Sequence, residues 1–338
     1  MNANHPEVTL QINLAPTDLP HAEYILPHQL RQWGAQVAEI LLVLDLRRSR
    51  GPRSAAWEER LPGLRLLVDE CCSRYANAHW VHVDYSPETA QNVASTFFGG
   101  HTVPAKDWNG TAVYPYFFGI FAAKHDYVFH MDSDMLYGGG STTWVMEAVE
   151  LLTQRPDVLI CSPLPGPPTA DGHLRSQTLP RDSHDSLAFL AASRDDAFST
   201  RLFLIDRNRF SSRIGQVRMI RPSRYKVCRA LAEGNPPYEL AEVMLSRAMA
   251  AHGLARVDFL GRPPGMWSVH PPYRSKLFYD SLPRLIERIE AGDIPELQRG
   301  DHDVNDSMVD WSSARKPLWR RVGSHANLLV RNMIGASD

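Results

Sequence analysis

Two aspartates separated by one serine, Asp132-Ser133-Asp134, follow the run YVFHM and precede three glycines. Side chains at positions i and i+2 of an extended segment point the same way, so both carboxylates are predicted to face one point just past the end of a strand. Two carboxylates placed in this way repel each other unless a cation lies between them. Hard oxygen ligands suit Mg²⁺ or Mn²⁺, which bind one or two carboxylates together with waters and substrate phosphates. The glycines would let the backbone approach such a ligand closely.

An alternation of strands and helices is predicted to position this pair. A parallel sheet covered on both faces is expected to have near-continuous apolar strands such as VAEILLVLDL, and its ligands bind at the carboxyl ends of the strands. Asp45, Asp84 and Asp132 each stand where a predicted strand ends. The sequence therefore predicts an α/β fold with a single Rossmann-like, mostly parallel sheet flanked by helices. The predicted strands are 8–14, 37–46, 80–83, 127–131 and 158–162, and the predicted helices are 19–34, 64–75, 109–124, 143–154, 235–253 and 282–290.

Composition excludes several classes of protein. The 338 residues are 43% hydrophobic and 22% charged with a formal net charge of -2, so no global basic field favours nucleic acid as a partner. The four cysteines lack CxxC spacing and indicate free thiols in a reducing cytoplasm. No signal peptide is recognisable at the N-terminus, and no apolar run reaches the roughly 18 residues of a transmembrane helix.

The segment around Asp132 and Asp134 resembles the DxD signature of nucleotide-sugar-dependent glycosyltransferases with the A-type fold, especially the family-2-like group. The resemblance covers roughly residues 8–270 and is one of pattern and order. It implies Mn²⁺ or Mg²⁺ and a nucleoside diphosphate sugar, uridine-linked, as donor. In that family the metal and the diphosphate are bound by positions that match Asp132 and Asp134, with Ser133 beside the donor.

The same resemblance implies further contacts to the nucleotide. Asp18 ends the segment VTLQINLAPTD, which is similar to the family's first strand and its nucleotide-side loop. Asp45 and Asp84 resemble the nucleobase and ribose contacts. Lys106 and Asn109 precede the helix that leads into the DxD strand, where the family often lines the nucleotide pocket.

A catalytic base is implied in the segment NPPYELAEVMLSRAMAAHG. Its prolines are predicted to open a helix and Gly253 to end it. Counting back from Leu245 and Gly253, the family's Asp position falls on Glu242, which would take the proton of the acceptor hydroxyl. Ala241 replaces the Glu that the family places before it, and Glu239, one turn earlier on nearly the same face, is the substitute. Glutamates in a first helical turn are also favoured by the helix dipole without catalysis.

The segment MWSVHPPYRSK would complete the site. His270 resembles the histidine that completes the metal shell in this fold. Arg274 and Lys276, just beyond it, are expected to meet phosphate oxygens.

These parts predict metal-dependent transfer of a sugar to a small-molecule or glycan hydroxyl with inversion. A retaining enzyme and a non-catalytic nucleotide-sugar-binding protein, suggested by Ala241, remain alternatives. A DxD phosphatase is disfavoured, because its first aspartate is a nucleophile in the first strand.

The predicted organisation is one catalytic domain followed by an extension. The domain spans residues 1–275, with a nucleotide-binding half at 1–140 and an acceptor half at 141–275. Residues 276–338 form a helical extension, in which 300–310 is an acidic loop. Its basic and apolar end, KPLWRRVGSHANLLVRNMI, is expected to pack on its own domain or on a second copy in a homodimer, with peripheral contact to an anionic membrane as the alternative. Residues 163–180 are predicted to be a long acceptor loop.

Overall fold

Strands and helices alternate along most of the chain. The computed structural model describes residues 6–48, 56–175, 179–182, 188–194 and 197–315. The strands are β1 (Val8–Leu14), β2 (Glu39–Leu44), β3 (Ala78–His82), β4 (Tyr127–Asp132), β5 (Leu136–Gly138), β6 (Val158–Pro165), β7 (Ala188–Ala191), β8 (Leu202–Asp206), β9 (Ala255–Phe259) and β10 (Trp267–Val269). The helices are α1 (Leu19–Trp33), α2 (Trp57–Arg74), α3 (Pro87–Phe98), α4 (Tyr114–Ala122), α5 (Trp144–Gln154), α6 (Arg207–Arg209), α7 (Arg224–Ala232), α8 (Ala241–Ala251) and α9 (Lys276–Glu290).

The first four strands form the parallel half of the sheet, in the order β3-β2-β1-β4. The run Ile40–Leu44 is buried on both faces. Ile40, Leu42 and Leu44 pack with α1 and α2 on one side. Leu41 and Val43 pack with α3 and α4 on the other side. The α/β prediction is confirmed, because only a strand covered by helices on both faces buries consecutive apolar residues in this way.

The other half of the sheet is mixed. β8 lies antiparallel between β4 and β6, and β6 also pairs in parallel with β9 and β10. β7 and β5 pair antiparallel to β9 and β10, respectively. β6 extends the strand predicted at 158–162. The shorter strands β5, β7, β8, β9 and β10 carry no alternating pattern long enough to predict them, and α3 was likewise not predicted.

Two helices begin later than the sequence analysis predicted. The helix predicted from residue 109 begins at Tyr114, where Pro115 occupies a first-turn position that needs no backbone N–H donor. The helix predicted from Asn235 begins at Ala241. The backbone N–H of Glu239 instead donates to Ile220 O at 2.9 Å, which holds this residue outside the helix.

The predicted extension contributes to the core as far as it is described. α9 packs against α1 and β5. A third apolar cluster joins Phe278 and Trp311 to Leu136 and Trp267 of the sheet. Residues 276–315 therefore share a core with the sheet, while the basic end at 316–338 lies outside the described residues. Within the described ranges, none of the helices is long and apolar enough to cross a membrane.

Candidate functional site

A first cavity of about 190 Å³ opens at the carboxyl ends of β1, β2 and β4. The parallel order of these strands brings their ends to one edge, as the three strand-terminal aspartates predicted. The cavity is lined by residues 13–15, by Ala112, by Pro115 and Tyr116 of α4, and by five predicted site residues. These are Asp18, Asp45, Asp132, Ser133 and Arg274.

The turn that carries the two aspartates is held by buried polar side chains of α1. The Gln29 amide donates to Asp132 O at 2.9 Å and to Met135 O at 3.0 Å. His21 Nε2 lies 3.1 Å from Ser133 Oγ. Both side chains are fully buried, so α1 fixes the position of the turn as well as packing against the sheet.

The two carboxylates have different partners, and Asp134 does not lie in the extended segment that the sequence analysis predicted. β4 ends at Asp132, and the N–H of Met135 donates back to Asp132 O at 3.3 Å, so Asp134 lies in a turn. Asp132 Oδ1 accepts a 2.9 Å hydrogen bond from the Tyr116 hydroxyl. Asp134 Oδ2 accepts one of 2.6 Å from Arg274. The strand ends at Asp132, so the extended geometry that would align the two side chains does not reach Asp134.

Charge around Asp134 is concentrated and buried. Burial by itself would raise the pKa of Asp134, but Arg274 and His270 outweigh it and hold the pKa at about 2. Burial raises the pKa of Asp18 to about 6, against the opposing charge of Arg274, whose Nη1 lies 3.5 Å away. Arg274 thus bridges two carboxylates at the mouth of the first cavity.

Asp134 and His270 have the chemistry of a partial metal site. His270 Nε2 lies 3.6 Å from Asp134 Oδ2, and Asp134 Oδ1 is buried without a hydrogen-bond partner among the residues that the structure describes. No group of three or more His, Cys, Asp or Glu side chains in the described ranges is arranged to hold a metal. Two protein ligands with one free oxygen fit Mg²⁺ or Mn²⁺, because these ions complete their shell with water and substrate phosphate.

A second cavity of about 320 Å³ lies on the other side of the turn and contains Glu242. Glu242 Oε1 accepts from the Thr200 N–H and from the Thr200 hydroxyl, both at 3.0 Å. Ser133 lines the first cavity and Met135, two residues later, lines the second. Tyr116 lines the first cavity, and burial, followed by Asp132 and the charge of Glu242, raises its pKa well above its usual value.

Glu239 lies outside the second cavity. It forms an ion pair of 3.0 Å with Lys226, and its Oε2 accepts from the Leu240 N–H at 3.3 Å. Because α8 starts only at Ala241, Glu239 is not one turn earlier on the face of Glu242. The Glu239 carboxylate thus neutralises Lys226 and accepts a hydrogen bond from the residue that precedes α8.

Four other predicted residues lie outside the first cavity. Asp84 accepts from Ser86 and Thr89 at the start of α3. Asn109 accepts from Arg229 at 3.3 Å. Lys106 is near enough to Asp45 to lower its pKa, against the dominant effect of burial, which raises it. Lys276 is 85% exposed and pairs with Asp280 one turn later on α9.

The acidic loop after α9 enters the site, which the sequence analysis did not predict. His302 lines the second cavity, and burial, followed by the charge of His270, lowers the pKa of His302 to about 4. Asp303 Oδ1 lies 3.5 Å from His270 Nδ1. The only signal in the sequence was the triplet DHD within GDHDVNDSMVD, and nothing local ties that loop to His270.

The glycines after the aspartates serve packing. A Cβ on Gly138 would overlap the Trp267 ring, and one on Gly139 would overlap Gly265 O. Gly140 has a φ of +78° and open space around it. Gly138 and Gly139 therefore allow close packing against residues 265–267, while Gly140 has room around it.

Comparisons with known proteins give remote likenesses. No protein-family model and no curated protein matches the chain. S. aureus TarS 1–349 is 9% identical, with 77% of this chain and 60% of that chain covered at a TM-score of 0.40. The mannosyltransferase PcManGT from Pyrobaculum calidifontis, in complex with GDP-Man and Mn²⁺, is 15% identical, with 88% and 68% covered at 0.41. The 4-diphosphocytidyl-2C-methyl-D-erythritol synthase from Anaerococcus prevotii is 12% identical, with 61% and 74% covered at 0.31.

Proposed function

We propose that the chain is a nucleotide-sugar-dependent glycosyltransferase of the A-type fold, which moves a sugar from a nucleoside diphosphate to an acceptor hydroxyl with inversion. One observation carries the proposal. The turn after β4 separates a carboxylate-lined and arginine-lined cavity at the strand ends from a second cavity that holds Glu242. Such a division suits an inverting reaction, in which the acceptor hydroxyl attacks the anomeric carbon of the donor from the side opposite the departing diphosphate.

The first cavity would hold the donor. The carboxylates of its lining and the neighbouring Asp134 outnumber Arg274, so a diphosphate on its own would meet an excess of negative charge. The carboxylates of the lining are Asp18, Asp45 and Asp132. A divalent cation on Asp134 and His270 would supply the missing positive charge and neutralise the departing diphosphate. Arg274, already 45% exposed at the mouth, can turn from Asp134 to a phosphate oxygen as the donor enters.

Glu242 would be the general base. Thr200 occupies Oε1 with two hydrogen bonds, which orients the carboxylate and leaves Oε2 for the proton of the acceptor hydroxyl. As that proton moves to Oε2, the hydroxyl oxygen attacks the anomeric carbon and the bond to the diphosphate breaks. Glu239 is the weaker candidate because its charge is already paired with Lys226.

Matched glutamine variants test the base. Glu242→Gln keeps an acceptor oxygen for Thr200 but cannot take a proton, so transfer should fall by about 10²–10⁴-fold while donor binding is kept. Glu239→Gln should retain transfer within a few-fold. Release of nucleoside diphosphate and donor affinity would be measured for both variants. Near-normal transfer by Glu242→Gln would refute its role as base.

Thermal-shift screening of nucleotide sugars, with and without Mn²⁺, would identify the donor, for which we propose a uridine-linked sugar. The anomeric configuration of the product, read by NMR, separates inversion from retention. Donor binding with neither transfer nor slow hydrolysis would indicate a binding protein. Hydrolysis of phosphomonoesters alone would indicate a phosphatase.

A further inference from the structure

A strongly basic segment lies outside both cavities. Residues 207–232 contain seven arginines and one lysine and no Asp or Glu, in a chain whose formal net charge is -2. The segment spans α6, the loop after it and α7. A local excess of this size marks a surface with an electrostatic role.

Five of the eight cations are engaged inside the fold. Arg207 pairs with Asp126, and Arg209 and Arg213 donate to backbone carbonyls. Lys226 and Arg229 pair with glutamates and lie over the Trp108 ring. The three that are left have exposed side chains and no ion-pair partner among the residues that the structure describes. They are Arg218, Arg221 and Arg224.

The outer face of α7 is apolar as well as basic. Tyr225 is 76% exposed and Leu231 is 64% exposed, and Cys228 between them is exposed too. At about 100° per residue, Arg224, Tyr225, Cys228 and Leu231 fall within one third of the helix circumference. The opposite face carries Ala230, which is fully buried. Large apolar side chains are therefore presented outward on the same face as an unpaired arginine.

We propose that this surface binds an anionic lipid bilayer as a peripheral membrane contact. The α7 surface consists of the outer face of α7, with Arg224, Tyr225, Cys228 and Leu231, and of the exposed Arg218 and Arg221 in the segment that leads into α7. Helices that lie in the membrane interface combine cations for the lipid headgroups with apolar side chains for the acyl boundary. Nucleic acid would account for the arginines but not for the outward Tyr225 and Leu231.

An ion pair connects α7 to the segment directly before α8, which carries Glu242 of the second cavity. Lys226, on the inner side of α7, binds Glu239, which stands directly before α8 and Glu242. A bilayer that binds α7 would therefore hold α8 at a short, fixed distance from the membrane surface.

Co-sedimentation of the full chain with vesicles tests the charges. We expect binding to phosphatidylcholine vesicles that contain phosphatidylserine and little binding to phosphatidylcholine alone. Replacing Arg218, Arg221 and Arg224 together by Gln should lower the partition coefficient by about two orders of magnitude. A control with the same loss of charge, at three exposed arginines elsewhere, should bind like the parent chain. Its substitutions are Arg65→Gln, Arg194→Gln and Arg284→Gln.

The apolar contact is tested separately. Tyr225→Ser with Leu231→Ser should lower binding to anionic vesicles at least about tenfold, because both side chains lose burial in the interface. An environment-sensitive fluorophore on Cys228, in a Cys72→Ser background, should shift its emission to the blue with anionic vesicles only. The substituted positions on the α7 surface are exposed, so thermal unfolding should be unchanged and should confirm that the variants fold.

Three outcomes would overturn the proposal. The arginine triple variant could bind anionic vesicles as well as the scattered control. The serine double variant could bind like the parent chain. Duplex RNA could bind the α7 surface more tightly than the vesicles do, at the same salt concentration.

Discussion

Replacing Gln29 by Met should both destabilise the protein and weaken donor binding. Gln29 is fully buried, and its amide donates to Asp132 O and Met135 O on the turn after β4. Methionine fills a similar volume but donates no hydrogen bond. Asp132 O keeps the N–H of Met135 as a donor, whereas Met135 O loses its contact to the amide.

The expected loss of stability follows from the hydrogen bonds that Gln29→Met removes. Two lost hydrogen bonds cost about 0.5–1.5 kcal/mol each, and a buried carbonyl left unpaired costs about 1–3 kcal/mol. The Gln29 Oε1 atom is itself buried without a partner, so its removal offsets part of the loss. We expect a net destabilisation of about 2–4 kcal/mol, or roughly 4–8 °C in Tm at about 2 °C per kcal/mol.

Gln36→Met is the matched control. Gln36 is also buried and its amide donates to two backbone carbonyls, those of Gln32 and Ser141, away from the turn. Gln36→Met should lose at least as much stability in thermal denaturation as Gln29→Met, because Gln36 Oε1 also accepts from the Val145 N–H at 3.3 Å. Only Gln29→Met should weaken Mn²⁺-dependent nucleotide binding by calorimetry at a temperature where both are folded. Equal loss of binding in the two variants, or unchanged binding in Gln29→Met, would refute the assignment of Gln29 as the residue that positions the turn.

Three further predictions concern the metal, the glycines and pH. Asp134→Asn should weaken Mn²⁺ affinity in the presence of nucleoside diphosphate by at least about tenfold, measured by calorimetry. Unchanged affinity would show that Asp134 does not bind the metal. Gly138→Ala should cost about 1–3 kcal/mol by overlap with Trp267 in denaturant unfolding, and Trp267→Phe in the same chain should recover part of that cost. Burial lowers the pKa of His28, whose Nε2 accepts from the Tyr137 N–H and is therefore unprotonated. In the unfolded chain His28 takes up a proton as the pH falls below 6.5, so the free energy of unfolding should decrease as the pH falls through this range. His28→Gln should reduce the slope of that decrease by up to about 1.4 kcal/mol per pH unit. Urea titrations between pH 7.5 and 5.5 measure the slope.

Much of the parallel half of the sheet was predictable from the sequence, because its elements are determined by local patterns. A strand buried on both faces must be apolar throughout, as Ile40–Leu44 is, and an amphipathic helix such as α1 must repeat its apolar residues every three or four positions. The order of parallel strands then carries Asp45 and Asp132 to one edge. Local sequence patterns are therefore enough to locate the first cavity.

Tertiary structure decided which side chains enter the site and what they contact. Asp84 and Asp45 both follow a strand, yet Asp84 accepts hydrogen bonds at the start of α3 while Asp45 lines the first cavity. Glu239 and Glu242 are three residues apart, and the pairing of Glu239 with Lys226 distinguishes them. His302 reaches the second cavity from a loop after α9. The Asp84 contacts are local, but the Thr200–Glu242 and His270–Asp303 contacts join residues far apart in the chain. Local propensity and spacing carry no information about such distant pairs, because their energy arises only when the core brings them together.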